Sequence, residues 1–156
     1  MWRRLKQLSF SREVQEVTYL LLHDKLPVHE RTFRIGLSRD PYCTSCSSAS
    51  IQDVDHFFIY CDLTSKYWEW TRSLCDKLIG NPATLSDTLL LKLNWPQCKN
   101  DRSILWLIGH YTFLVWDMLF IRKLTKINEG EFFGFMKYKY REALQMGITE
   151  VIDGLV

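Results

Sequence analysis

Cys43, Cys46, His56 and Cys61 fall in one short stretch with the spacing C-x2-C-x9-H-x4-C. Thiolate sulfur and imidazole nitrogen are the donors that tetrahedral Zn2+ prefers, and a Cys3His set closes a structural site. The gap between Cys43 and Cys46 suits a tight turn that presents two thiolates to one ion. Ser45 and Ser47 are small enough to let backbone N–H groups approach the sulfurs. His56 would project from the start of a short helix, and Cys61 would come from its far end. In a straight α-helix a step of five puts two side chains about 140° apart. The helix must therefore end, tighten or bend before Cys61. Asp53 or Asp55 is placed to orient the free ring nitrogen of His56. With four protein donors no position stays open for water, so hydrolysis at the metal is not expected.

Other chemistry-bearing residues are weaker candidates. Cys75 and Cys98 stand apart from the cluster and read as buried thiols. His23 and His29 read as helix-end and surface residues, with no nucleophile placed beside them. His110 and Asp117 are two helical turns apart, on one face, and fit a polar group satisfied within a core. Phosphate-cradling glycine loops and paired acids for two-metal chemistry are not evident in the sequence. Lys137, Tyr138, Lys139, Tyr140 and Arg141 interleave cations with rings, a pattern that can grip phosphates and stack bases. It is also what one exposed and one buried face of an ordinary helix produce. Arg31, Arg34 and Arg39, and the cluster Arg3, Arg4 and Lys6, carry the same two readings.

The elements that must position these residues are helical. Ser11 caps a helix over 11–23, and Val28 to Ile35 forms a second one stopped by Gly36. A serine-rich loop then carries the two close cysteines. Asp53 starts the short His56 helix, and Asp62 or Thr64 starts another that ends at Gly80-Asn81-Pro82. Ser86 caps a short helix. Asp101 opens a long apolar one running to about Leu124, Asn128-Glu129-Gly130 is a turn, and Glu131 to Met146 is the last helix, capped by Gly147. No run alternates long enough to predict a sheet. The predicted fold is mostly α: a small helical domain with a CCHC zinc loop, then a long buried apolar helix and a C-terminal helix. All of residues 1–156 read as one domain, with the zinc segment at about 17–70 and a helical extension at about 83–147.

Composition sets the frame. Hydrophobic residues are 47% of the chain and aromatics 14%, enough for a packed core and against disorder. The net charge of +2 is not the footprint of a strongly basic nucleic-acid binder. The charge is uneven, however: residues 1–42 carry eight Lys/Arg against five Asp/Glu, and residues 122–141 six against two. Five cysteines without a secretory signal point to a reducing compartment, nuclear or cytoplasmic, where clustered thiols hold metal. Ile104 to Ile121 approaches the length of a membrane span, but His110 and Asp117 within it favour a buried helix of a soluble core.

The run Leu20-Leu-Leu-His-Asp-Lys-Leu-Pro27-Val-His-Glu-Arg31, then Gly36-Leu37, Cys43-Thr-Ser-Cys46, Asp55-His56-Phe-Phe, Cys61 and Tyr67-Trp68 resembles the zinc-binding domain that follows the reverse transcriptase in non-LTR retrotransposon polyproteins. The similarity is dense over about residues 17–70 and looser to about 145, where Ile104-Leu-Trp-Leu-Ile-Gly-His-Tyr with Trp116 is similar to a downstream apolar helix. The resemblance implies a module beside a polymerase, gripping template RNA or target DNA. This sequence has no Tyr-x-Asp-Asp polymerase motif, no endonuclease and no RNase H acids, so a non-catalytic derivative of such a C-terminal region is expected. The alternative is a zinc-stapled protein-interaction module, or an inert remnant, whose apolar helix docks a partner such as the polymerase.

Overall fold

The computed structural model describes residues 5, 10–80, 85–149, 152 and 155. Arg3, Arg4 and Lys6 lie outside them, as do Asn81 and Pro82. Six α-helices are described: α1 (Arg12–Leu22), α2 (His29–Arg34), α3 (Ser65–Ile79), α4 (Asp87–Leu91), α5 (Asp101–Trp116) and α6 (Glu129–Gln145). Two π-helical segments join them, His56–Tyr60 ahead of α3 and Asp117–Ile121 continuing α5. There is no strand among the described residues, only an isolated antiparallel bridge between Tyr42 and Ile51.

α1, α4 and α6 start where an N-cap side chain satisfies one of the first free N–H groups. Ser11 accepts from Val14 N–H, Ser86 from Leu89 N–H and Asn128 from Glu131 N–H. The last cap corrects the expected boundary: Glu129 and Gly130 belong to the first turn of α6, because Asn128 Oδ1 takes the capping bond at 2.9 Å. Gly80 and Gly147, with φ of +78° and +66°, end α3 and α6 in the left-handed conformation that glycine adopts freely.

The core forms around α5. Val14, Val17, Thr18 and Leu21 give α1 a buried stripe, and Tyr67, Trp68, Thr71, Leu74 and Cys75 give one to α3. Both stripes pack on α5, which is buried on nearly its whole circumference from Ser103 to Trp116. Phe132, Met136, Tyr140 and Ala143 of α6 close over it. Gly109 lets α1 approach: a Cβ there would stand 2.9 Å from Cζ of Phe10. The span Asp101–Ile121 is apolar and long enough to cross a membrane, yet it is mostly enclosed by the other helices. The helical run stops at Ile121, earlier than the expected Leu124, where Arg122 N–H bonds back to the Asp117 carbonyl at 2.8 Å.

Polar groups of α5 are answered locally. His110 Nδ1 bonds the Trp106 carbonyl at 3.0 Å and Thr112 the Ile108 carbonyl at 2.9 Å. Asp117 pairs with Arg122 at 3.0 Å rather than with His110. Arg72 ties α3 to α4, reaching Asp76 at 2.7 Å, Asp87 at 2.9 Å and the Leu85 carbonyl at 2.7 Å.

Candidate metal centre

The loop from Arg39 to Ile51 is folded back on itself by the Tyr42–Ile51 bridge. Cys43 N–H bonds the Ser50 carbonyl at 2.8 Å and Gln52 N–H the Pro41 carbonyl at 2.9 Å. This hairpin-like loop brings the Cys43-x-x-Cys46 turn over the start of the second arm. Asp53 then caps a helical turn, its Oδ1 accepting the backbone N–H of His56 at 2.7 Å.

From His56 the backbone widens into a π turn, and Cys61 N–H bonds the His56 carbonyl at 2.8 Å. The step of five that would separate the two side chains on an α-helix is the repeat of an i→i+5 turn. The mismatch expected from the sequence is therefore resolved by loosening the helix rather than by ending, tightening or bending it. His56 and Cys61 come to one side as a result. π turns are rare and recur at functional sites.

The four candidate donor atoms, Sγ of Cys43, Cys46 and Cys61 and one ring nitrogen of His56, all lie within 4.8 Å of one another. Cys43 and Cys61 sulfurs are 3.9 Å apart, and Cys46 Sγ is 3.4 Å from His56 Nε2. Bond lengths of about 2.3 Å to sulfur and 2.0–2.1 Å to nitrogen give tetrahedral edges of about 3.8 and 3.5 Å, so the set fits one zinc-sized cation. A sulfur separation of 3.9 Å excludes a disulfide. Cys43, His56 and Cys61 are buried and Cys46 is half-buried. Burial pushes the Cys61 thiol up to about 12. A thiol so placed is deprotonated at neutral pH only by a coordinating cation. At the more open Cys46, desolvation also pushes upward, but hydrogen bonds with Ser48 and the neighbouring sulfurs outweigh it and leave the thiol below its ordinary value.

Residues 1–68 match the family model for zinc-binding in reverse transcriptase. The matched segment contains the whole Cys3His cluster and ends inside α3. That family is a zinc-binding region and not a catalytic domain. No curated protein and no solved structure matches the chain.

Around the four candidate donors, some supporting contacts differ from those expected. Asp53 holds the His56 backbone rather than its ring, and Asp55 accepts from the Thr88 hydroxyl at 2.9 Å. Ser47 does not serve a sulfur: its N–H and hydroxyl both go to Asp62, at 3.2 and 2.8 Å. The sulfurs find Gln52 Nε2, 3.6 Å from Cys43, and the Ser48 hydroxyl, 3.2 Å from Cys46. Gln52 and Asp62 were invisible as supporting residues because their roles depend on the loop closing, which no local pattern encodes. Cys75 is fully buried, as expected, whereas Cys98 is only half-buried and lies 3.6 Å from Asp101 Oδ1.

The basic candidates separate. Arg34 and Arg39 are exposed, Arg34 pairing loosely with Glu30 at 3.4 Å, while Arg31 is half-buried and bonds the Asp24 carbonyl at 2.8 Å. On α6, Lys137, Tyr138 and Arg141 face outward and Lys139 pairs with Glu142 at 2.8 Å. Tyr140 is 0% exposed and its hydroxyl accepts from Ile152 N–H, so its ring cannot stack on a base. The long apolar helix is buried in the core, as expected, and so does not offer the docking face of the alternative reading.

Proposed function

We propose that this chain is a non-catalytic, zinc-stapled module that grips a strand of RNA or DNA beside α2. The convergence of four donor atoms within 4.8 Å carries the zinc part of the reading. Zinc bound there by four protein ligands would supply cross-linking energy and no reactive water. Free cysteines at the cluster suit a reducing compartment.

The chain's own residues connect that staple to a basic, aromatic surface. Glu30 N–H bonds the Gln52 carbonyl at 3.0 Å, His29 N–H bonds Gln52 Oε1 at 3.1 Å, and His29 Nδ1 donates to the Tyr42 carbonyl at 2.6 Å. These bonds fix the start of α2 to both arms of the metal loop. Arg34 and Arg39 are then held outward, with the exposed ring of Phe33 immediately before Arg34 in sequence. Guanidinium groups pair with phosphates and an exposed ring offers a stacking face to an unpaired base. Lys137, Tyr138 and Arg141 form a second such surface on α6.

The test is a salt titration of a fluorescent single-stranded oligonucleotide against the zinc-loaded chain. Affinity falls steeply with salt, and Arg31, Arg34 and Arg39 changed together to Gln flatten the slope by about two to three charges. A flat response in the unmodified chain rejects the reading.

A protein-docking reading is favoured by a different observation. Phe33, Ile35, Leu37, Tyr42 and Ile51 are all exposed on α2, the turn after it and the metal loop, Leu37 to 77%. Exposed apolar residues gathered in this way mark interaction sites. Phe33→Ser with Leu37→Ser would abolish protein binding yet leave the salt slope of oligonucleotide binding intact.

A further inference from the structure

A cavity of about 450 Å3 opens where α1, α5 and α6 meet, and none of its lining residues belongs to the metal cluster. Its walls are the rings of Phe10, Trp106, Phe113 and Phe135 with Ala143, and His110 is set into one side. That volume and apolar lining are those of a small-molecule site, in which a few polar groups fix orientation.

His110 supplies such a group. It is only 8% exposed. Its Nδ1 donates to the Trp106 carbonyl at 3.0 Å, which leaves Nε2 as the acceptor of the neutral ring. Nε2 has no hydrogen bond among the described residues. The ring cannot swing to find one, because it stacks on Trp106 at 4.4 Å and meets the edge of Phe10 at 5.7 Å. A ligand that enters the cavity with a donor of its own meets this acceptor, whereas one without a donor strips the acceptor of water and leaves it unpaired. Of the charged lining residues, Lys139 and Glu142 are spent on each other at 2.8 Å, and Glu13 is an exposed carboxylate.

We infer that this cavity binds a small planar aromatic molecule carrying one N–H or O–H donor, which His110 Nε2 accepts. The rings on its walls favour edge and offset contacts with an aromatic body. Polyanions find no free cation here. Ligands with several polar edges find one complement and lose the hydration of the rest.

Indole and benzofuran, near-isosteres that differ in the N–H, are the probes. Each is titrated into the zinc-loaded full chain while backbone amide shifts are followed by NMR. Indole is expected to move the amides of Val14, His110, Phe113 and Ala143 saturably, with benzofuran binding about tenfold more weakly, the ratio one hydrogen bond to a buried acceptor supplies. His110→Phe should bring the two probes to equal affinity. Absence of saturation by indole, saturation at other residues, or equal binding of both probes to the unmodified chain overturns the inference without recourse to the variant.

Discussion

The hydroxyl of Tyr111, fully buried on α5, donates to the carbonyl of Phe58 at 2.5 Å. Phe58 lies inside the π turn that carries His56 and Cys61, so the core helix directly supports the backbone of the metal centre. A widened turn disturbs the regular ladder of carbonyl partners, and Tyr111 fills one vacancy. Thr64 fills another, its hydroxyl donating to the Phe57 carbonyl at 3.0 Å.

Tyr111→Phe keeps the ring and removes the donor. The Phe58 carbonyl is then buried without its partner, at a cost of about 1–3 kcal/mol. Urea unfolding of the zinc-loaded variant against the parent checks this. An unchanged midpoint and slope would show that the bond carries no net weight.

Metal content separates the three cluster cysteines from Cys98. Cys43→Ala, Cys46→Ala and Cys61→Ala each remove a donor from the cluster and should leave the purified chain without stoichiometric zinc. Cys98→Ala should retain it. Chelation of the parent should raise amide exchange first at residues 42–61, because the bridge and turns there enclose the donors and little else.

Asp62 holds the turn after Cys46 through both Ser47 donors. Asp62→Ala should leave the fold intact and weaken zinc affinity about tenfold, the lower end for groups that support metal ligands. Competition with a colorimetric chelator measures it. The side-chain and backbone hydrogen bonds from Ser47 also hold the Asp62 carboxyl below its usual range. This support therefore persists in mild acid and is lost only when that carboxylate protonates.

Burial pushes the His110 imidazole down to about 4. Its unfolded value is about 6.5, so the unfolded chain binds the extra proton across that window. Its contribution is complete above about pH 6.5 and falls away toward pH 4, by about 3 kcal/mol in all. Acid also protonates the metal ligands, so the quantity to measure is the stability difference between the parent and His110→Phe at each pH. That difference should shift in favour of the variant on acidification, and a constant difference would contradict it.

Where the sequence spoke through local chemistry, the structure agrees with it. The Ser11 and Ser86 caps, the stop at Gly36 and the convergence of Cys43, Cys46, His56 and Cys61 all follow from residue type and spacing. Features set by tertiary closure, and the choice between a turn and a cap at one helix boundary, were not legible. The π turn shows up in the sequence only as an awkward step from His56 to Cys61, and Asn128-Glu129-Gly130 reads as a turn although Asn128 caps α6. Tyr140 alternates with cations as a nucleic-acid strip would, yet helical geometry turns it inward against Trp106, with ring centroids 5.8 Å apart.

The placement of α5 bears on biosynthesis. Its apolar length emerges from the ribosome after α1 and α3 and before α6. Two of the three helices that cover it are thus already synthesised when it appears. Folding against them competes with capture by the membrane-targeting machinery, which reads the same hydrophobic stretch in an extended nascent chain. The order of the helices along the polypeptide lets burial begin before that stretch is left bare.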